Sequence, residues 1–129
     1  MAQPAAKQGD QVMAVDMHLI QPSGPVSPVL IPHPFSGMID GSLSSDVMIM
    51  GKPAAMQGST ATNAPAHLPS GSAFVKPPTN RGTIQTGSAT VMINGKPAAR
   101  SGDTVVTCND PSDLPAGSII AVGTVMIGG

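Results

Sequence analysis

The sequence predicts an all-β fold: a small closed, three-sided arrangement of short strands with threefold pseudo-symmetry, long loops rich in proline and glycine, and little or no helix. Three observations support this prediction. The segment Pro-Ala-Ala occurs three times, 15 Gly and 14 Pro are present, and short apolar runs alternate with turn-forming residues. Because proline and glycine disfavour helix interiors, short strands joined by turns are the expected elements.

The repeat sets the number of units. We call the three Pro-Ala-Ala segments, each with the residue that follows it, the corner segments; they occupy residues 4–7, 53–56 and 97–100. Residues 47–55 align without a gap with residues 91–99, and residues 124–127 resemble the strand before the third corner segment. We therefore predict one domain over residues 1–129, in which the C-terminal strand completes the first repeat. Units this short must share one core.

Strands are predicted where apolar runs are bounded by Gly, Pro, Asn, Asp or Ser. They lie near residues 11–17, 46–50, 82–85, 89–93, 103–107, 118–121 and 124–127. Met50-Gly51 and Asn94-Gly95 follow two of these strands, and Asn-Gly predicts a two-residue hairpin because both positions tolerate positive φ. A glycine after each corner segment is expected to reverse the chain.

Three irregular segments are expected to distinguish the three sides. Residues 21–41 contain five prolines, so we expect no regular central strand there, because proline cannot donate to a strand ladder. The other two segments are residues 63–80 and 109–117. In the strands at 46–50 and 89–93, valine and isoleucine share one face and methionine lies on the other. The nine methionines are expected mostly to fill gaps in an irregular core.

Composition excludes several classes of function. The net charge is −1 with six scattered Lys and Arg residues, which does not resemble a nucleic-acid surface. The N-terminus has no basic segment followed by an apolar stretch, so we expect no signal peptide. No run approaches the roughly 20 apolar residues of a membrane span, and stable membrane insertion is not expected. A single cysteine excludes an intramolecular disulfide.

Three histidines and one cysteine, His18, His33, His67 and Cys108, equal the ligand set of one tetrahedral zinc site. His18 and His67 each lie fourteen residues after the proline of a corner segment, and Cys108 lies eleven residues after the third such proline. Each unit thus supplies one candidate ligand, and His33 would come from a loop that its flanking prolines hold extended. Four nitrogen and sulfur ligands without a glutamate favour a closed structural site.

Spacing alone leaves other interpretations open. The candidate ligands contain no short pair such as Cys-x-x-Cys, and three histidines are not unusual in a chain of this length. Cys108 could be a nucleophile, although its neighbours do not resemble a strained nucleophile turn. Asp16, two residues before His18, could hydrogen-bond a metal ligand; we expect instead a solvated aspartate on a strand.

The corner segments, the Gly9-Asp10 and Gly102-Asp103 pairs that follow two of them, and the Val-Met-Ile-x-Gly-Lys segments that precede two of them resemble the PAAR-repeat family. The resemblance covers nearly the entire chain. The second copy departs from the pattern, with Met56 and Ser59 where Arg and Asp are expected. The resemblance implies a cone-shaped structural protein, not an enzyme, with one structural Zn²⁺ near its apex. His18, His33, His67 and Cys108 fit the three-histidine, one-cysteine ligand pattern of the family.

The resemblance also implies a role and partners. Proteins of this family are monomeric tips that cap the trimeric β-helical spike of a contractile injection system, one tip per trimer, and help to puncture the target envelope. Such systems include type VI secretion and phage-tail-like extracellular particles. The tip would be made in the cytoplasm, assembled into the particle and delivered outside, with effectors as candidate cargo. Two alternatives remain: a zinc- or thiol-dependent hydrolase toxin, and a free-standing ligand-binding repeat protein.

Overall fold

Short β-strands and connecting turns form the whole described part of the computed structural model, which covers residues 2–69 and 73–128. The strands are β1 (Gln3–Pro4), β2 (Gln11–Gln21), β3 (Val29–Gly41), β4 (Met48–Ile49), β5 (Lys52–Pro53), β6 (Thr60–Asn63), β7 (Ala73–Phe74), β8 (Arg81–Ile84), β9 (Met92–Ile93), β10 (Lys96–Pro97), β11 (Thr104–Thr107), β12 (Leu114–Ile120) and β13 (Met126–Ile127). In these two ranges no residue is helical, and no helix is long and apolar enough to cross a membrane.

Six strands form a closed antiparallel sheet with three sides. β2 pairs with β3, β3 with β6, β6 with β8, β8 with β11, β11 with β12, and β12 returns to β2. Each side consists of two successive strands of this ring: β2 with β3, β6 with β8, and β11 with β12. The three-sided all-β architecture predicted from the repeat is confirmed.

The corner segments meet around the pseudo-threefold axis. Three equivalent bridges join Ala5 to Arg100, Lys7 to Ala54, and Met56 to Ala98. The second alanine of each corner segment, which we call the middle alanine, takes part in a cycle of backbone hydrogen bonds. Ala6 N donates to Ala99 O at 2.9 Å, Ala55 N to Ala6 O at 3.0 Å, and Ala99 N to Ala55 O at 3.1 Å. All three middle alanines are completely buried. A small side chain is required here because three backbones approach one another.

The turn after each corner segment has the same construction in all three units. Gly9, Gly58 and Gly102 have φ of 89°, 94° and 90°, as predicted for chain reversal. The amide of the fourth corner residue donates to the side chain three positions later: to Asp10 at 3.0 Å, to Ser59 at 3.0 Å and to Asp103 at 2.8 Å. Ser59 therefore replaces aspartate in the second unit without loss of this hydrogen bond.

Three short antiparallel pairs lie beside the corner segments. β4 pairs with β5, β9 with β10, and β13 with β1, so that Met48, Met92 and Met126 each face the proline of a corner segment. Met50-Gly51 connects β4 to β5, and Asn94-Gly95 connects β9 to β10. All four turn residues have positive φ. The predicted two-residue hairpins are confirmed.

The core is divided into two clusters by the alternation of side chains along the corner segments. One cluster contains the middle alanines with Val12, Phe35, Ile39, Ala61, Ile84, Val105, Ile119 and Ala121. The other contains the first alanines with Ile49, Met56, Ile93 and Ile127. The second cluster lies under the short strand pairs, at the end of the molecule that we call the base.

Three buried glycines lie in the closed sheet next to residues of the larger cluster. Gly37, Gly82 and Gly117 lie two residues before Ile39, Ile84 and Ile119 respectively and are buried. A Cβ atom at Gly37 would lie 2.7 Å from the carbonyl oxygen of Thr62, and one at Gly82 would lie 2.9 Å from Val105 Cγ1. Gly37 and Gly82 therefore lie too close to their neighbouring strands to accept a Cβ atom without a shift.

The prediction that residues 21–41 contain no regular central strand is wrong for the second half of this segment. β3 spans Val29–Gly41 and includes Pro32 and Pro34. It pairs with β2 along most of its length, but its pairing with β6 begins only at Gly37. The amide of Ser36 points towards the β6 side, where it donates to Asn63 Oδ1. Pro32 and Pro34 alternate along β3 in step with Ser36, so their nitrogens also face the side without a partner strand. The missing N–H groups therefore remove no hydrogen bond between β2 and β3.

The prediction for the methionines is also wrong at most positions. Met13, Met38, Met48, Met50, Met92 and Met126 are between 44% and 59% exposed, whereas Met56 is 9% exposed. In β4, β9 and β13 the isoleucine is buried and the methionine is exposed. The two-residue period that places isoleucine in the core directs methionine to the surface.

Strand bounds differ from the prediction elsewhere. β2 continues beyond residue 17 to Gln21 and so carries His18, and β12 begins at Leu114, within a segment expected to be irregular. β7 lies within the predicted loop 63–80, and residues 70–72 of that loop are outside the described residues.

Candidate metal centre

β2 directs alternate side chains into the closed sheet, and His18 is one of them. The buried residues of this face are Val12, Asp16, His18 and Ile20. His18 lies near the end of β2 that is remote from the corner segments, where its ring meets His33 of β3 and His67 of the loop after β6. The ring centroids of the three histidines lie 5.1–5.5 Å apart.

Cys108 joins this cluster directly after the end of β11. Candidate ligand atoms of Asp16, His18, His67 and Cys108 lie within 4.8 Å of one another, and all four residues are buried. His33 packs against both other histidines but lies outside that 4.8 Å group. The structure thus gathers three of the four residues in the predicted ligand set and places the fourth beside them.

Three ring nitrogens in the cluster have no hydrogen-bond partner among the described residues: Nδ1 and Nε2 of His18, and Nε2 of His33. His33 Nδ1 lies 2.9 Å from the carbonyl oxygen of Ile31 and donates to it, so Nε2 of the neutral ring keeps its lone pair. A buried polar atom without a partner costs about 1–3 kcal/mol. Unpaired imidazole lone pairs beside a cysteine are the donors that a zinc-type metal ion accepts, so the residues present fit a metal.

Asp16 is completely buried at the centre of the cluster. Its Oδ1 accepts from Thr107 Oγ1 at 2.5 Å and from Asn109 Nδ2 at 3.5 Å. Its Oδ2 lies 2.8 Å from His67 Nε2 and 3.4 Å from Cys108 Sγ. The expectation of a solvated aspartate is wrong. The signal that could have found it is parity, because residues 16 and 18 of a strand share one face.

Two asparagines position His67. Asn80 Oδ1 accepts from the His67 amide at 2.8 Å and from Asn63 Nδ2 at 3.1 Å. Asn63 Nδ2 also lies 3.3 Å from His67 Nδ1. Sequence reasoning missed both residues, since an asparagine in or beside an irregular loop has no distinctive pattern.

The segment after Cys108 is fixed to β2. Asn109 Oδ1 accepts from the Met17 amide at 2.6 Å, and Asp110 Oδ2 accepts from the Leu19 amide at 2.7 Å. Asp110 Oδ2 also lies 3.5 Å from His18 Nδ1. Because β2 also carries His18, these contacts hold Cys108 next to His18.

Burial controls the protonation of two cluster residues. Burial, and after it the charge of Asp16, raises the pKa of the Cys108 thiol. Burial is also the largest cause that lowers the pKa of His18, against the opposing effect of Asp110. Without a metal the cysteine is thus a protonated thiol with little nucleophilic character, and His18 is a neutral imidazole, the form that binds metals.

A cleft of about 340 Å³ lies beside the cluster. Its lining includes His33, His67, Asn63 and Pro65. Both histidines are nevertheless less than 10% exposed, so the cluster is buried even on the side of the cleft.

Comparison with known proteins identifies the repeat. The family model described as PAAR motif matches residues 76–129, which contain the third corner segment and Cys108. No curated protein matches the chain. The match covers the third repeat, and the structure joins its corner segment to two further copies of the same segment.

Proposed function

We propose that this chain is the tip of a contractile injection system, where it caps the end of a trimeric β-helical spike. The observation that supports this most strongly is the threefold base. Met48, Met92 and Met126 occupy equivalent positions there and are 57%, 54% and 56% exposed. A single chain with pseudo-threefold symmetry can offer the same contact to each of three identical spike subunits.

The surface beside these methionines is suited to such a contact. Val91 and Val125 are 37% and 41% exposed. The equivalent residue Val47 is half-buried and packs on the second core cluster, which lies at the base. Exposed apolar residues repeated on every side of one end are typical of a protein interface. The base, defined by these three valines and the three methionines, is therefore the proposed contact with the spike.

At the other end, we propose that His18, His33, His67 and Cys108 hold one structural Zn²⁺. His18 and His33 belong to the first side, His67 follows β6 of the second, and Cys108 follows β11 of the third. A bound ion would cross-link all three sides. Structural zinc contributes on the order of 10 kcal/mol of apparent binding free energy in small domains, comparable to the whole stability of a typical domain. The cross-link would stiffen the narrow end of a puncturing tip.

We assign the chain no catalytic role. Every candidate ligand is buried, and the raised pKa of the Cys108 thiol opposes nucleophilic chemistry. A hydrolytic site would require a position open to water and substrate. As a spike tip, the protein would be assembled into the particle in the producing cell and leave with the spike, with any effector cargo attached to the same assembly.

Elemental analysis of purified protein tests the metal site. We expect one zinc per chain in the wild type and loss of zinc in Cys108→Ser. A different tightly held metal at the same stoichiometry would replace zinc in the proposal. Wild-type protein without any bound metal would overturn it.

Co-purification with the trimeric spike protein tests the proposed role. Val91→Asp and Val125→Asp should each abolish binding, because each places a charge in an apolar contact. Val15→Asp is the matched control, since Val15 is 58% exposed on the outer face of β2, away from the base. If the base variants bind as the wild type does, or the control loses binding equally, the proposed docking surface is wrong.

A further inference from the structure

We propose that Asp16 Oδ2 is itself a metal ligand, which gives the centre a fifth protein donor beside His18, His33, His67 and Cys108. The inference rests on the metal site proposed above. It concerns a residue that the three-histidine, one-cysteine pattern does not include.

Distances within the cluster support direct ligation. Oδ2 lies 2.8 Å from His67 Nε2 and 3.4 Å from Cys108 Sγ. Zinc binds nitrogen and oxygen at about 2.0–2.2 Å and sulfur at about 2.3 Å, so two donors of one ion lie roughly 3–3.7 Å apart. The distance from Oδ2 to Cys108 Sγ lies within this range, and the distance to His67 Nε2 is a hydrogen-bond distance just below it.

The orientation of the His67 ring distinguishes two roles for Asp16: direct binding of the metal, or a hydrogen bond to a histidine that binds it. An aspartate that merely orients a metal-bound histidine accepts from the ring nitrogen that is turned away from the metal. Here Asn63 faces His67 Nδ1, and Asp16 faces Nε2. His67 Nε2 and Cys108 Sγ both contact Asp16 Oδ2, so the carboxylate lies on the side of the ring that faces the thiol.

Charge gives a second reason. Asp16 is completely buried, and among the described residues its only ion-pair partner is His67, without any Lys or Arg. An isolated buried carboxylate is costly unless an opposite charge compensates it. A divalent ion with one thiolate has a net charge of +1, which the Asp16 carboxylate neutralises.

The other carboxylate oxygen is already fixed. Thr107 and Asn109 donate to Oδ1, and both residues flank Cys108 in sequence. These contacts hold the carboxylate with Oδ2 towards the thiol and His67. The fifth donor is thus placed by the same segment that places Cys108.

X-ray absorption at the zinc edge of the wild-type protein tests the inference without any mutation. We expect one sulfur and four nitrogen or oxygen donors. One sulfur and three such donors would overturn the inference but leave the four-ligand site intact, whereas wild-type protein without metal would overturn the proposed site itself.

Asp16→Asn provides the second test, with Asp10→Asn as the matched control because Asp10 is also buried but pairs with Lys7 near the corner segments. Competition with a chromophoric chelator should show a zinc Kd that is about 10–100-fold higher in Asp16→Asn and unchanged in Asp10→Asn. In the Co²⁺-loaded protein, the visible bands should strengthen in Asp16→Asn as coordination falls from five to four. Weaker affinity with an unchanged cobalt spectrum would make Asp16 a positioning residue and overturn direct ligation, as would an unchanged affinity.

Discussion

The amide of Ala6 donates to the carbonyl oxygen of Ala99 at 2.9 Å, and Ala55 links these two residues into a closed cycle of three hydrogen bonds. The residues come from three distant parts of the chain. Each is the middle alanine of a corner segment, and each is completely buried. The repeat therefore acts in the fold as the point at which all three sides are joined.

Enlargement of a middle alanine should destabilise the protein. We expect Ala55→Val to lower the free energy of unfolding by about 1–3 kcal/mol, because added methyl groups must displace tightly packed backbone. Urea denaturation of the metal-free protein measures the effect. Ala89→Val is the control, since Ala89 is exposed and should tolerate the change. Equal stability of both variants would show that the ring has space that the structure does not indicate.

Much of the fold could be predicted because the corner segments and their turns are local features. Asn94 and Gly95 both have positive φ, and the Asn-Gly pair is itself a local pattern that predicts this conformation. β3 could not be predicted in the same way, since Pro32 and Pro34 are compatible with a strand only where the neighbouring strand β6 stops short. That condition depends on the length of a different segment.

The buried glycines Gly37, Gly82 and Gly117 provide a second stability prediction. Gly37→Ala should destabilise the protein by about 1–3 kcal/mol, because the new Cβ would lie 2.7 Å from the backbone oxygen of Thr62, and backbone cannot rotate away as a side chain can. Gly128→Ala is the control, as nothing lies within 4 Å of a Cβ there. Thermal denaturation monitored by circular dichroism compares the two, and a neutral Gly37→Ala would contradict the close contact between Gly37 and Thr62.

The natural variation between repeats gives a third prediction. Lys7 and Asp10 form an ion pair at 3.1 Å with both side chains largely buried, and the second unit has Met56 and Ser59 at these positions. Lys7→Met alone should cost about 3 kcal/mol, because it leaves a buried carboxylate without its counter-charge. The double variant with Asp10→Ser should recover most of that loss, since a serine also caps the turn at Ser59.

A double-mutant cycle measured in urea distinguishes this coupling from simple additivity. The free energy of unfolding should be higher for the double variant than for Lys7→Met alone, by more than the error of the measurement. If the losses add instead, Lys7 acts mainly through its hydrogen bond to the Val122 carbonyl at 2.6 Å, which the double variant does not restore.

The metal centre was only partly predictable, for a related reason. His18, His67 and Cys108 could be proposed from residue type and position in each repeat. Asp16 was misjudged because the predicted strand ended at residue 17, so the shared face of Asp16 and His18 was not recognised. Asn80 contacts His67 from a loop, and such a contact depends on tertiary structure that no local pattern specifies.

Removal of the proposed metal should lower stability. Treatment with a strong chelator is expected to reduce the Tm of the wild type substantially, because it leaves the buried nitrogens of His18 and His33 without partners. Cys108→Ser should have a low Tm that the chelator changes little. A wild-type Tm that is independent of both chelator and added zinc would contradict a structural metal.

The base gives the last prediction, which follows from symmetry. Met48, Met92 and Met126 are almost equally exposed, at 57%, 54% and 56%, and each faces the proline of its own corner segment across a short strand pair. If three identical spike subunits contact these positions, Met48→Ser, Met92→Ser and Met126→Ser should weaken binding to the spike by similar factors. Met38→Ser is the control, because Met38 is 59% exposed on the side formed by β3. Calorimetric titration with the spike trimer measures the losses, and a large loss confined to one of the three methionines would indicate an asymmetric partner in place of a threefold one.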